Sequence, residues 1–258
     1  MMSSTTSTFG APLMRHSEGQ VVLGGSGEDA VFKPADYPGR EQPYEHRFSP
    51  YDFNGGTVAG VSGEDYLVIA ADTRMSSGYE ILSRNTSKLH QLNPNAILAS
   101  SGCKTDMDQL RSVLDIKSKI YQHNHRKSMT ATSTAQMLSN TLYGRRFFPY
   151  YAFNVLGGID AEGKGCLFSY DAIGSFERTQ YSATGSGQAY VIPFLDNVIG
   201  NRNHTEEKPT LSKEEVVELM KEAFVSAGER DIYTGDALEI MVMTKDGVTK
   251  ETFELKKD

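Results

Sequence analysis

Cysteine is scarce in this chain. Among 258 residues there are two, Cys103 and Cys166. Neither belongs to a Cys-x-x-Cys pair or lies near a histidine at ligand spacing, which argues against a zinc site. Both sit in small, apolar surroundings, Ser101-Gly102-Cys103 and Gly165-Cys166-Leu167, where a thiol packs as a small hydrophobe. Two free buried thiols fit a reducing compartment; a single disulfide between them is the alternative. Long apolar runs are missing too. With no stretch of about 18 apolar residues, no membrane-spanning helix is expected. Excess positive charge is absent: the formal net charge is −7, a poor match for the phosphates of nucleic acid and for anionic membranes. The opening Met-Met-Ser-Ser-Thr-Thr-Ser-Thr lacks a charged start and an apolar stretch, so no secretory signal is expected. The expected location is the cytoplasm, together with the nucleus.

What is present is ordinary for a soluble globular protein: 38% hydrophobic and 23% charged residues. The length suffices for one large domain or two small ones. Residues 1–46 differ from the rest. They are rich in Ser, Thr, Gly and Pro, with Gly24-Gly25-Ser26-Gly27 and prolines at 12, 34, 38 and 43. Such a segment cannot bury enough surface to offset its ordering entropy by itself. It reads as an extension that is disordered, docked on a partner or removed, with the folded domain over 47–258.

Within that domain, strands are expected at Thr57–Val61, Tyr66–Ala71 and Ala96–Ser100, and their continuous apolar character suggests cover on both faces. Two helices follow, at 106–123 with Leu110, Val113, Leu114, Ile120 and Tyr121 on one face, and at 133–143. Further strands are expected at 152–156, 165–170 and 176–183, then a helix at 187–198 that contains Pro193. Ser212-Lys213-Glu214-Glu215 matches a capping box opening an amphipathic helix. A hairpin, 237–244 and 248–255, ends the chain. Helices come in pairs between runs of strands. That order argues against a doubly wound parallel sheet and for antiparallel sheets with helices stacked outside.

The stretch Gly55-Gly56-Thr57-Val58, then Ala70-Ala71-Asp72-Thr73-Arg74, then Lys88, resembles the proteasome beta subunits, members of the N-terminal nucleophile hydrolases. The resemblance runs from about Phe48 to the C-terminus. It is supported by the order of Tyr143–Tyr151, Gly157-Gly158, Gly163-Lys164-Gly165, Thr184-Gly-Ser-Gly187 and Arg230–Asp236. It implies an α+β fold, a four-layer alpha-beta-beta-alpha sandwich of two antiparallel sheets flanked by helix pairs. In active members of the family a threonine freed by autolysis attacks the substrate. A lysine lowers the barrier electrostatically and an aspartate positions that lysine.

The family pattern places the aspartate sixteen residues after the threonine and the lysine sixteen further on. Asp72 and Lys88 have that separation, and sixteen residues before Asp72 stands Gly56, which has no side chain to attack with. Thr57 is the alternative nucleophile, but it is one residue out of register. On a strand, a slip of one sends the side chain to the other face. Ser186 in Gly185-Ser186-Gly187 falls where the family has a serine near the nucleophile, Asp231 on its supporting aspartate, and Thr234 in place of a serine. Gly56, Asp72, Lys88, Ser186, Asp231 and Thr234 therefore read as a vestigial site, with an ion pair of Asp72 and Lys88 under the first sheet. Taken singly, Asp72 reads equally as a strand end and Lys88 as a solvated charge.

Arg47–Tyr51, Arg145–Tyr151 and Gly163-Lys164-Gly165 look most like the sixth beta position of the family. For that type the resemblance implies trimming near Arg47 by an active neighbour. It also implies a non-catalytic structural subunit without cofactor in a heptameric ring that encloses the chamber for ubiquitin-dependent protein degradation. The implied partners are other beta subunits, alpha-ring subunits, the opposing beta ring and assembly chaperones. Two rivals stand beside this reading: an active threonine peptidase using Thr57, and a nucleotide-binding module built on the Gly-rich loops, which lacks the Gly-Lys-Ser/Thr ending of a phosphate loop.

Overall fold

The computed structural model describes residues 14–15, 21–22, 49–201 and 210–257. The chain divides into two units, Met1–Phe48 and Ser49–Asp258. In the first, β1 (Met14–Arg15) and β2 (Val21–Val22) form an antiparallel pair. Apart from those four residues, the expected extension over 1–46 and its trimming point at Arg47 lie outside the described residues.

The second unit is built from two five-stranded antiparallel sheets. One has the order β12-β3-β4-β13-β14 and the other β11-β10-β9-β8-β7. The first comprises β3 (Thr57–Ser62), β4 (Tyr66–Asp72), β12 (Tyr181–Gly185), β13 (Ala237–Thr244) and β14 (Gly247–Glu254). The second comprises β7 (Leu89–Asn93), β8 (Ala96–Gly102), β9 (Ala152–Ile159), β10 (Gly165–Tyr170) and β11 (Phe176–Thr179). Two short strands, β5 (Met75–Ser77) and β6 (Glu80–Ser83), make a separate hairpin.

The apolar strand runs are buried on both faces, and their residues divide between cores with a period of two. On β4, Tyr66, Val68 and Ala70 pack toward α3 (Gln188–Leu195) and α4 (Lys213–Gly228). Leu67, Ile69 and Ala71 face the other way and meet Ile97, Ala99, Val155 and Leu167 of the second sheet. The outer faces of β8 and β10, with Leu98, Cys166, Phe168 and Tyr170, pack under α1 (Lys104–His125) and α2 (Ala131–Tyr143). Helix pair, sheet, sheet, helix pair is the alpha-beta-beta-alpha sandwich.

Local chemistry sets the helix ends. Thr130 caps α2 by accepting from the Ser133 amide, so the helix starts at Ala131, two residues before the expected point. Both bonds of the capping box at Ser212 and Glu215 form, as expected from sequence.

Three expectations are corrected. The single strand over 176–183 is two strands in different sheets: β11 pairs with β10 and β12 with β3, and the chain changes sheet at Gln180, whose carbonyl accepts from the Ser62 amide. The helix over 187–198 is α3 followed by a π-helical turn at Asp196–Gly200; Pro193 lies inside α3, where it has no N–H to give to the preceding turn. On α1 the inward stripe is Met107, Leu110, Leu114 and Ser118. Ile120 is exposed, because six residues beyond Leu114 a side chain has turned about 120° away.

Candidate functional site: a filled pocket at the start of a strand

The chain reaches β3 through Gly55 and Gly56, with φ of 70° and 84°, conformations that side-chain-bearing residues rarely adopt. A β-carbon on Gly56 would lie 2.2 Å from Cε and 2.6 Å from Nζ of Lys88, and 3.0 Å from Oδ1 of Asp72. The space that a side chain at position 56 would need is filled by Lys88.

Asp72 ends β4 and Lys88 immediately precedes β7; both are buried. Lys88 Nζ lies 3.0 Å from Asp72 Oδ1. It also donates to the Asp72 carbonyl at 2.8 Å and to the Arg74 carbonyl at 2.7 Å. An ammonium has three N–H groups, so all of them are used. Asp72 in turn accepts from the backbone amides of Thr57 at 2.8 Å and Gly235 at 3.3 Å. Burial pushes the Asp72 carboxyl above its ordinary value, while Lys88 and the two amides pull against it.

Thr57 turns away from this pair. It is fully buried, and it has the same strand parity as Ala59 and Val61, which pack toward α3 and α4. Its Oγ1 accepts from the Gly187 amide at 2.8 Å and lies 2.7 Å from Thr234 Oγ1. Thr234 donates to Asp231 Oδ2 at 2.5 Å. With that hydrogen committed, the order of donors is fixed: Gly187 N–H to Thr57, Thr57 to Thr234, Thr234 to Asp231. Ser186 stands beside Gly56, its amide 3.1 Å and its hydroxyl 3.4 Å from the Gly56 carbonyl.

The seven residues singled out from sequence thus converge on the start of β3, but in two groups. Gly56, Asp72, Lys88 and Ser186 lie around the Gly56 peptide, and Thr57, Asp231 and Thr234 form a separate hydroxyl chain. Arg74 was quoted from sequence only as part of a motif. Its carbonyl holds Lys88, and its guanidinium binds Asp236 (Nε to Oδ2, 2.8 Å) and the Ile232 carbonyl at 2.9 Å. Arg84 joins Asp236 as well. Burial raises the Asp236 carboxyl, but the two guanidiniums outweigh it and hold it below its ordinary value. The sequence signal for this bridge was faint: an acidic residue after Gly235, far from Arg74 along the chain.

Facing antiparallel sheets between helix pairs, with a Gly-Gly-Thr strand start meeting a buried aspartate–lysine pair, define an N-terminal nucleophile hydrolase sandwich. Residues 52–243 match the proteasome subunit family, and the chain belongs to that family. It is 55% identical over 216 residues to proteasome subunit beta type-1 of Arabidopsis thaliana, covering 82% of this chain and 97% of that protein. Against proteasome subunit beta type-1 of Danio rerio the identity is 46% over 233 residues, covering 90% and 97%. Against proteasome subunit beta type-6 of Saccharomyces cerevisiae it is 42% over 226 residues, covering 84% and 94%.

Proposed function

We propose that this chain is a non-catalytic beta subunit that builds the wall of a proteolytic chamber without cutting peptides itself. The observation that carries this reading is the filled space at Gly56. The position in register with Asp72 and Lys88 has no side chain, and Lys88 occupies the room where one would stand. Lys88 spends its three N–H groups on Asp72 and on the Asp72 and Arg74 carbonyls, leaving none for a hydroxyl, and the Thr57 hydroxyl is enclosed by Gly187, Thr234 and Asp231. Attack by Thr57 would require β3 to slip by one residue and break its pairing with β4 and β12.

Gly56, Asp72, Lys88, Ser186, Asp231 and Thr234 are then remnants that now serve packing. The partners are neighbouring beta subunits in a heptameric ring, alpha-ring subunits, the opposing ring and assembly chaperones, in the cytoplasm and nucleus. Exposed aromatics support a role in assembly: Phe147 is 98% and Phe148 59% exposed, next to Tyr143 and Arg146. The test is the intact mass of the subunit from native particles after treatment with a covalent probe for N-terminal threonines. The expected mass begins near Arg47 and carries no adduct; a chain that begins at Thr57 and carries the probe overturns the reading.

A further inference from the structure

The residues before Gly56 are bound into the domain by more than their chain connection. Asn54 is buried, and its backbone amide donates to the Gly102 carbonyl at 3.1 Å while its carbonyl accepts from the Ser76 amide at 3.1 Å. Its side chain bridges the same two places. Oδ1 accepts from the Lys104 amide at 2.8 Å and Nδ2 donates to the Ser76 carbonyl at 3.2 Å. Lys104 opens α1, and the residue at the N-cap, Cys103, makes no side-chain cap. The first orphan amide of α1 is therefore satisfied by a residue from a distant part of the chain.

Aromatic rings secure the neighbours of Asn54. Tyr51 stacks on Phe148 with centroids 5.7 Å apart and lies 5.3 Å from Tyr151, and its hydroxyl donates to the Pro149 carbonyl at 2.8 Å. Phe53 meets Tyr151 and Tyr233 edge-on at 6.1 and 6.5 Å. Gly55 then turns with positive φ so close to the Tyr233 side chain that a β-carbon there would lie 2.8 Å from Tyr233 Cβ. Between the two residues that grip Asn54, Gly102 and Lys104, lies Cys103, which is 4% exposed.

We propose that Tyr51–Gly55 is a latch that closes over the junction of β8 and α1, with Asn54 as its catch and the Cys103 thiol beneath it. The latch caps α1 in place of Cys103 and keeps solvent from the thiol. Release of the latch uncaps the helix and bares Cys103 together. The inference does not depend on whether Thr57 is a nucleophile, and its readout uses no peptidase assay.

The chain's two cysteines provide the measurement. Cys166 lies fully buried under α1 and α2 and its thiol is pushed up to about 11, so it reports on global unfolding. Particles carrying the subunit are treated with iodoacetamide and each cysteine is scored by peptide mass. In the wild-type chain both stay largely unmodified. In a Tyr51→Ala/Asn54→Ala variant, Cys103 is modified faster by about tenfold or more while Cys166 stays protected. Rapid modification of Cys103 in the wild-type chain, or an unchanged rate in the variant, overturns the latch. Where the double variant fails to assemble, Asn54→Ala alone carries the test. It removes both the acceptor for Lys104 and the donor to Ser76, so faster modification of Cys103 supports the latch and an unchanged rate overturns it.

Discussion

Lys88 stands where a side chain on Gly56 would have to go: the distance from Lys88 Cε to a β-carbon built there is 2.2 Å. Restoring a threonine at position 56 is therefore not a simple repair. Gly56→Thr requires a left-handed backbone conformation at a branched residue, at about 1–2 kcal/mol, and displacement of a buried lysine. Denaturant unfolding is expected to show a loss of about 2–4 kcal/mol, and the variant is expected to remain unlabelled by a threonine-directed probe.

The Asp72–Lys88 pair is buried and fully hydrogen-bonded, so removing one partner strands the other. Lys88→Met is expected to cost about 3–5 kcal/mol. Asp72→Asn in the Lys88→Met background costs much less than in the wild-type chain. A double-mutant cycle by chemical denaturation measures the coupling; strict additivity contradicts the pairing described here.

Thr57→Val keeps the shape of the side chain and removes its hydroxyl. The Gly187 amide loses its acceptor and Thr234 a partner, with a predicted loss of about 1–3 kcal/mol. Every peptidase activity of particles carrying the variant stays at the wild-type level; a selective loss of one activity supports the rival reading.

His90, on β7, offers a test by pH. Burial pushes its imidazole down to about 4, with Arg111 and Lys104 adding to the effect and Asp108 and Glu239 opposing it. The folded-state value lies below the unfolded one of about 6.5. Stability is therefore complete above pH 6.5 and is lost as pH falls toward 4, by up to about 1.4 kcal/mol per pH unit. His90→Gln removes this group's share, and the acid limb of the stability profile becomes shallower. A superimposable profile contradicts the shift.

Phe147 and Phe148 project from the α2–β9 connection. Phe147→Asp, at a ring that is 98% exposed, is expected to change the stability of the isolated fold by less than about 1 kcal/mol while sharply reducing incorporation into particles. Native mass spectrometry of co-expressed subunits reads the second effect.

The strands were legible where both faces are buried, because Tyr66–Ala71 and Ala96–Ala99 are apolar throughout. The end of α4 carrying Ser212 and Glu215 was legible because a capping box is local chemistry. The break at Gln180 was not: residues 176–185 continue an extended pattern, and only pairing with β10 on one side and β3 on the other divides them. The strands β5, β6 and β7 are short and polar at many positions, and they were not anticipated. Within the site, the spacing of the family that the sequence resembles brought out Asp72, Lys88 and Gly56. Arg74 with Asp236, and Asn54 with Lys104, are pairs distant in sequence that carry no local pattern.

The sequence by itself determined that the position matching the nucleophile of the family it resembles is a glycine, since the family's sixteen-residue spacing counts back from Asp72 to Gly56. It also determined the alternation of apolar strand runs with paired helices, because hydrophobic periodicity is a property of consecutive residues. Only the tertiary structure decided what the neighbouring hydroxyl bonds, which donors Lys88 spends and on what, and which distant side chain caps α1. Those outcomes depend on atoms brought within about 3 Å by packing of the two sheets and helix layers, and separation along the chain carries no record of such distances.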